Sequence, residues 1–234
     1  MIILALDGLE LSLVEKFSCE FLKQDRYGNT NIKEFSLPKT VILWASFLTG
    51  RNMESEVKED LWTFKVKPEQ TFLKKFKNSK AIDLPAFSYG EEHRQERELL
   101  KEFFVGSSSE SIIETYNQIA WKNHKKTKKI FFEELKKNHD LLIGYFALSD
   151  VIGHLNFGSL KTMENVYEEL NELAYQTKKI QPAEKILITS DHGMKEVGRF
   201  GDHTMAGFYS LNFDAKISRK PKITEFYDLI FRHN

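Results

Sequence analysis

Only one cysteine, Cys19, occurs in the 234 residues. A lone thiol has no partner for an internal disulfide, which fits a reducing compartment. Net charge is missing too, since 34 acidic side chains balance 34 basic ones. A neutral chain has no global field to draw in nucleic acid, so duplex binding is not expected, and an anionic ligand must be held by a local device. Long hydrophobic runs are also lacking. The apolar opening stops at Asp7 after six residues, with no basic stretch before it. That is too short for a signal peptide or a spanning helix. The expectation is a cytoplasmic protein that makes no membrane contact. Repeats, heptads and low-complexity tracts are absent.

What is present is ordinary globular composition, 41% hydrophobic and 29% charged, in a length suited to one domain over residues 1–234. Three apolar runs, 2–6, 141–148 and 185–189, are short and largely aliphatic. Polar or turn residues bound each of them, as in central parallel strands covered on both faces. Helical patterns separate the runs: 9–22, 41–49, 91–104, 110–137, 164–179 and 223–231. Thr40 is placed as N-cap of the second helix, with Gly50 just past its end. Gly106 to Ser109 form a loop feeding the long helix. The Lys- and Glu-rich stretch 52–80 reads as a surface excursion or lid. Alternating strands and helices predict an α/β fold with a mostly parallel central sheet sandwiched by helices.

Each apolar run delivers an acidic residue with turn chemistry behind it. Asp7 is followed by Gly8, Asp150 by Gly153 and His154, and Asp191 by His192 and Gly193. In an open parallel sheet these ends face one crevice, where ligands bind. Three carboxylates there repel one another unless a cation lies between them. Mixed carboxylate and imidazole donors select Zn²⁺ or Mn²⁺ over the harder Mg²⁺ and Ca²⁺. Each piece alone has an ordinary reading. Asp-Gly is a common turn, Asp150 and His154 at i, i+4 suit a surface hydrogen bond, and His203 suits a solvated loop. Four such pieces in one chain, at strand ends, favour a metal site.

The same residues resemble the alkaline phosphatase superfamily, and within it the nucleotide pyrophosphatase/phosphodiesterase branch. The strand entering Asp7 and Gly8 resembles that family's opening strand. Pro38, Lys39 and Thr40, with Thr49 and Gly50 one short helix later, resemble its nucleophile segment. Asp150 to His154 is similar to its Asp-x-x-x-His block, Ser190 to Met194 to its Asp-His-Gly motif, and Gly201 to His203 to its closing His motif. The resemblance implies an alkaline phosphatase-like fold, compact and without a large cap domain. It implies two divalent ions, zinc first and manganese second. Asp7, Thr40, Asp191 and His192 would surround one; Asp150, His154 and His203 would hold the other. Thr40 would be the nucleophile in phosphodiester or nucleotide-like ester hydrolysis, through a covalent threonine intermediate. A phosphomonoesterase or phosphomutase relative is the nearest alternative, and a non-catalytic metal-binding or interaction protein the alternative of another class. No Cys-x-Pro-x-Arg motif is present for a sulfatase that modifies its cysteine. Arg51, Lys39 and His93 are candidate phosphate contacts, each with a solvated-surface reading. Trp44, Trp62 and Phe64 are candidate base contacts, with Trp44 read as core.

Overall fold

The computed structural model describes residues 1–57, 61–106 and 109–233. Among the described residues, eight strands follow one another as β1 Ile2–Leu6, β2 Arg26–Asn29, β3 Ser79–Ile82, β4 Leu141–Phe146, β5 Ile186–Thr189, β6 Met194–Val197, β7 Phe200–His203 and β8 Phe208–Leu211. The α-helices among the described residues are α1 Leu11–Lys16, α2 Thr40–Thr49, α3 Arg94–Val105, α4 Glu110–Leu135, α5 Leu148–Asn156, α6 Leu160–Ile180 and, after the last strand, α7 Phe226–Arg232. Six strands form the main sheet in the order β2-β8-β5-β1-β4-β3. The β5, β1, β4 and β3 strands run parallel, while β8 is antiparallel to both its neighbours. Strands β6 and β7 make a separate antiparallel ribbon.

Every residue of β1, β4 and β5 is buried. Each isoleucine or leucine taken from water there contributes roughly 1.5–3 kcal/mol, which is why aliphatic runs end up at the sheet centre. The register pairs Leu6 with Phe146 and Ala5 with Thr189. Three strands therefore end side by side, and the residues after them are delivered to one edge.

The expected elements shift at their ends. Strand β4 stops at Phe146, because Leu148 already begins α5. The helix expected over 9–22 is only α1: Ser18 takes φ 54°, which ends it, and Cys19 and Leu22 are buried in the turn beyond. The 91–104 and 223–231 patterns each begin with one turn of 3-10 helix before α3 and α7. The α4 helix is capped by the Ser109 hydroxyl, which accepts from the Ile112 amide at 3.4 Å. Its expected feeding loop includes residues 107 and 108, which lie outside the described residues.

Helix α2 is buried from Thr40 to Leu48, in keeping with a sequence that is apolar all round. It ends at Gly50, whose φ of 71° is the left-handed conformation that glycine adopts at least cost. Within the 52–80 stretch, Val66, Phe72, Leu73 and Phe76 are buried, and Phe72 packs edge-on against Phe47 of α2. Apolar residues at irregular spacing in 3-10 turns supply that burial, while most of the neighbouring lysines and glutamates stay in water. Residues 58–60 of the stretch are outside the described ones. No helix among the described residues is long and apolar enough to cross a membrane.

Candidate metal centre

Asp7 leaves the end of β1, Asp191 follows β5 by two residues, and Asp150 sits in the first turn of α5 just beyond β4. Gly8 lets these segments converge. Its φ is 67°, and a Cβ there would lie 2.9 Å from both Cα and Cβ of Asp150. Asp7 and Asp191 are fully buried, as is His192. His192 Nε2 lies 3.3 Å from Asp7 Oδ1, 3.4 Å from Asp191 Oδ2 and 3.9 Å from Asp150 Oδ1. These three oxygens are buried and have no hydrogen-bond partner among the described residues. Buried carboxylate oxygens whose contacts are imidazole ion pairs without well-aligned hydrogen bonds remain undercompensated. Their convergence on one imidazole nitrogen is the donor arrangement that a divalent cation would satisfy.

The imidazoles are oriented toward the same carboxylates. His192 Nδ1 donates to the Gly193 carbonyl at 3.2 Å, and His203 Nδ1 to the Pro38 carbonyl at 2.8 Å. Holding Nδ1–H on a carbonyl leaves Nε2 facing the carboxylates. His203 Nε2 is 3.1 Å from Asp150 Oδ1 and 3.3 Å from His154 Nε2, and His154 Nε2 is 3.4 Å from Asp150 Oδ2. The His192 and His203 rings stack with centroids 3.6 Å apart.

Without a cation the titration of these groups is displaced. Burial, then the neighbouring Asp150 charge, pushes Asp7 up to about 7. Burial, with Asp7 and Asp150 beside it, raises Asp191 well above the usual carboxylate range. Burial opposes ionisation of Asp150, but His154 and His203 overcome it and hold its carboxyl well below that range. Burial, with His203 next to it, lowers His192 to about 3 and keeps it neutral.

All seven residues singled out from the sequence meet here. Among the described residues, two three-residue groups have donor atoms mutually within 4.8 Å: Asp7, Asp191 and His192, and Asp150, His192 and His203. His192 thus touches both halves of the centre, and His154 joins through Asp150 and His203. Thr40 is not the N-cap. Lys39 takes that position without a side-chain cap bond, and Thr40 is the first residue of α2. The reason is visible in its side chain, whose Oγ1 lies 3.5 Å from His192 Nε2 instead of turning back onto the helix amides.

Two partners of Asp7 were not legible as site residues. The Tyr145 hydroxyl donates to Asp7 Oδ2, and Ser149 Oγ donates to the Asp7 carbonyl at 2.5 Å. A tyrosine inside an otherwise apolar, fully buried strand was the available signal, because its hydroxyl must find an acceptor. The candidate phosphate contacts do not reach the centre. Arg51 pairs with Glu56, and Lys39 is exposed. His93, read as solvated, is buried between Asp83 at 2.7 Å and Glu96 at 2.8 Å, two carboxylates that compensate its desolvation. Trp44 is core, packed edge-on against Phe47 and Tyr145.

A doubly flanked, mostly parallel sheet with Asp and His donors gathered at its strand ends defines an α/β scaffold carrying a candidate metal centre. Neither a protein-family profile nor a curated protein sequence matches the chain. Among solved structures, it matches alkaline phosphatase from the Antarctic bacterium TAB5 with a TM-score of 0.52 at 12% identity, over 99% of this chain and 96% of that one. The fold is therefore alkaline phosphatase-like. Murine ectonucleotide pyrophosphatase/phosphodiesterase 5 matches with a TM-score of 0.46 at 12% identity, over 85% of this chain and 58% of that one. Phosphonoacetate hydrolase from Sinorhizobium meliloti 1021 gives 0.46 at 14% identity, over 83% and 56%. The chain spans little more than half the length of these two enzymes.

Proposed function

We propose that this chain is a two-metal-dependent phosphoric ester hydrolase of the alkaline phosphatase superfamily. We place it on the nucleotide pyrophosphatase/phosphodiesterase branch, with residues 1–234 acting as one domain and a small phosphodiester or nucleotide-like ester as substrate. The observation that carries this reading is the convergence of three buried carboxylate oxygens, none of them in a well-aligned hydrogen bond, on His192 Nε2, with the Thr40 hydroxyl beside it. Asp7, Thr40, Asp191 and His192 would hold one cation, and Asp150, His154 and His203 the other. Zinc suits this mixed donor set best, and manganese next. Bound there, the cations supply Lewis acidity toward the phosphoryl oxygens and the Thr40 hydroxyl.

The chain's own groups do the rest. Thr40 Oγ1 attacks phosphorus, giving up its proton to solvent and forming an Oγ–P bond as the P–O bond to the leaving group breaks and that oxygen takes a proton from solvent. Water then attacks the same phosphorus, the Oγ–P bond breaks, Oγ1 regains a proton and the phosphate product leaves. Thr40 is the first residue of α2, so the free amides and positive dipole end of the helix would face the phosphoryl oxygens of a bound substrate. Pro38, through its carbonyl, keeps His203 oriented two residues before the nucleophile.

The test is hydrolysis of bis-p-nitrophenyl phosphate beside p-nitrophenyl phosphate, with Zn²⁺ or Mn²⁺ and with chelator, in wild type and Thr40→Ala. Chelator-sensitive cleavage that favours the diester and disappears in Thr40→Ala is the expected result. Preference for the monoester moves the chain to the phosphatase branch. Full activity in Thr40→Ala would rule out the nucleophile.

A further inference from the structure

Beside Thr40 lies a cavity of about 100 Å³, and among the lining residues for which the metal centre has no use are Trp62, Tyr89, Arg97 and Glu96, whose two carboxylate oxygens are already taken by His93 and Asn123. Arg97 projects from α3 with its guanidinium carbon 4.4 Å from the Trp62 ring centre and 5.7 Å from that of Tyr89. Its Nη1 is buried and has no hydrogen-bond partner among the described residues. A guanidinium stays charged at any relevant pH, and ring contact satisfies its face but not its in-plane N–H donors. A buried charged donor left without an acceptor is destabilising unless a ligand supplies one.

This wall is held firmly. Trp62 stacks on Tyr89 at 5.5 Å, and Tyr89 stacks on His93 at 4.5 Å with the planes 8° apart. His93 in turn is fixed between Asp83 and Glu96. The Asp7, Asp191 and His192 donors are wholly buried, whereas Trp62 is 39% exposed. The Arg97–Trp62 wall thus reaches solvent at Trp62. Since Trp62 already stacks on Tyr89 and carries the guanidinium, the unused capacity here is for an anion and not for a stacked base.

We infer that Arg97 is a specificity residue that binds a second anionic group of the substrate, a carboxylate or a phosphate, remote from the phosphoryl group that reacts. The inference rests on the function proposed above and narrows its substrate class to esters carrying a second negative charge. Bidentate N–H donors on a planar fork suit either anion.

The test uses non-hydrolysable probes and calorimetric titration of the zinc-loaded protein. Phenylphosphonate reports the reacting end alone, while 4-carboxyphenylphosphonate and 1,4-phenylenediphosphonate add a second anion of each kind. Wild type is expected to bind at least one of the two probes with a second anionic group about tenfold more tightly than phenylphosphonate, and whichever it favours identifies the group. In Arg97→Met that preference should fall within twofold while phenylphosphonate binding stays unchanged, and Arg97→Lys should retain part of it. Thermal unfolding of both variants checks that they fold, and Arg97→Gln serves if Arg97→Met does not. Equal affinity for all three probes in wild type overturns the inference alone. So does equal weakening of all three in Arg97→Met, which would put Arg97 on the reacting phosphoryl group. Failure of zinc-loaded wild type to bind phenylphosphonate overturns the proposed function as well.

Discussion

Replacing His93 with glutamine should change not only the stability of the protein but the way its stability depends on pH. His93 is buried, with Nε2 2.7 Å from Asp83 Oδ2 and Nδ1 2.8 Å from Glu96 Oε2. Burial pulls the imidazole's pKa down, but the two carboxylates outweigh it and raise it from 6.5 to about 9. Below pH 6.5 the folded and unfolded imidazoles are both protonated, and the ion pairs contribute in full. Between 6.5 and about 9 only the folded state keeps the proton, so the contribution falls as pH rises and is gone above that window. A gap of about 2.5 pH units at 1.36 kcal/mol each amounts to about 3 kcal/mol. For a chain of this length that is roughly 6–12 °C in Tm. The assay is thermal unfolding of wild type and His93→Gln at pH 6.5 and 9.5, each with chelator present. Groups such as Asp7 and His203 titrate in both proteins and largely cancel from the difference. Wild type should be clearly the more stable at pH 6.5, and the gap should shrink by about 3 kcal/mol at pH 9.5. Two parallel pH curves would refute the reasoning, because they would mean that folding does not raise the affinity of the imidazole for its proton.

Other perturbations bear on the centre itself. Gly8→Ala combines a left-handed φ, disfavoured by roughly 1–2 kcal/mol for a residue with a Cβ, with a 2.9 Å approach to Asp150 Cα. It should lower Tm by several degrees and weaken metal binding, both measurable by unfolding with and without Zn²⁺. Tyr145→Phe removes the hydroxyl that orients Asp7, while Asp7 itself stays in place. Metal affinity by competition with a chromogenic chelator should fall about 10- to 100-fold, and an unchanged affinity would detach Tyr145 from the site. Phe47→Ala empties a fully buried position between Trp44 and Phe72 and should cost about 3–5 kcal/mol in denaturant unfolding.

The centre was legible in the sequence because parallel strands buried on both faces must be aliphatic. The runs ending at Asp7, before Asp150 and before Asp191 therefore stood out, and adjacency in the sheet brought their ends together. The β2 strand, Arg26–Asn29, gave no such signal, since it is a four-residue edge strand without alternation. The β6–β7 ribbon is mostly exposed or half-buried and equally silent. Thr40 was placed one residue too early relative to its helix, because a threonine at a helix start reads as a cap until its side chain is seen to turn elsewhere. The Arg97–Trp62 contact and the clamp on His93 were hidden for a different reason. They join residues brought together by irregular turns, and neither periodicity nor spacing encodes such meetings.

The most direct test of the central claim is native mass spectrometry of the chain after zinc loading and exhaustive buffer exchange, beside Asp191→Asn. The account predicts two zinc ions on wild type and loss of at least one from the variant, where an oxygen facing His192 becomes an amide. A wild-type chain that retains no metal, or a variant that retains both ions, would contradict it.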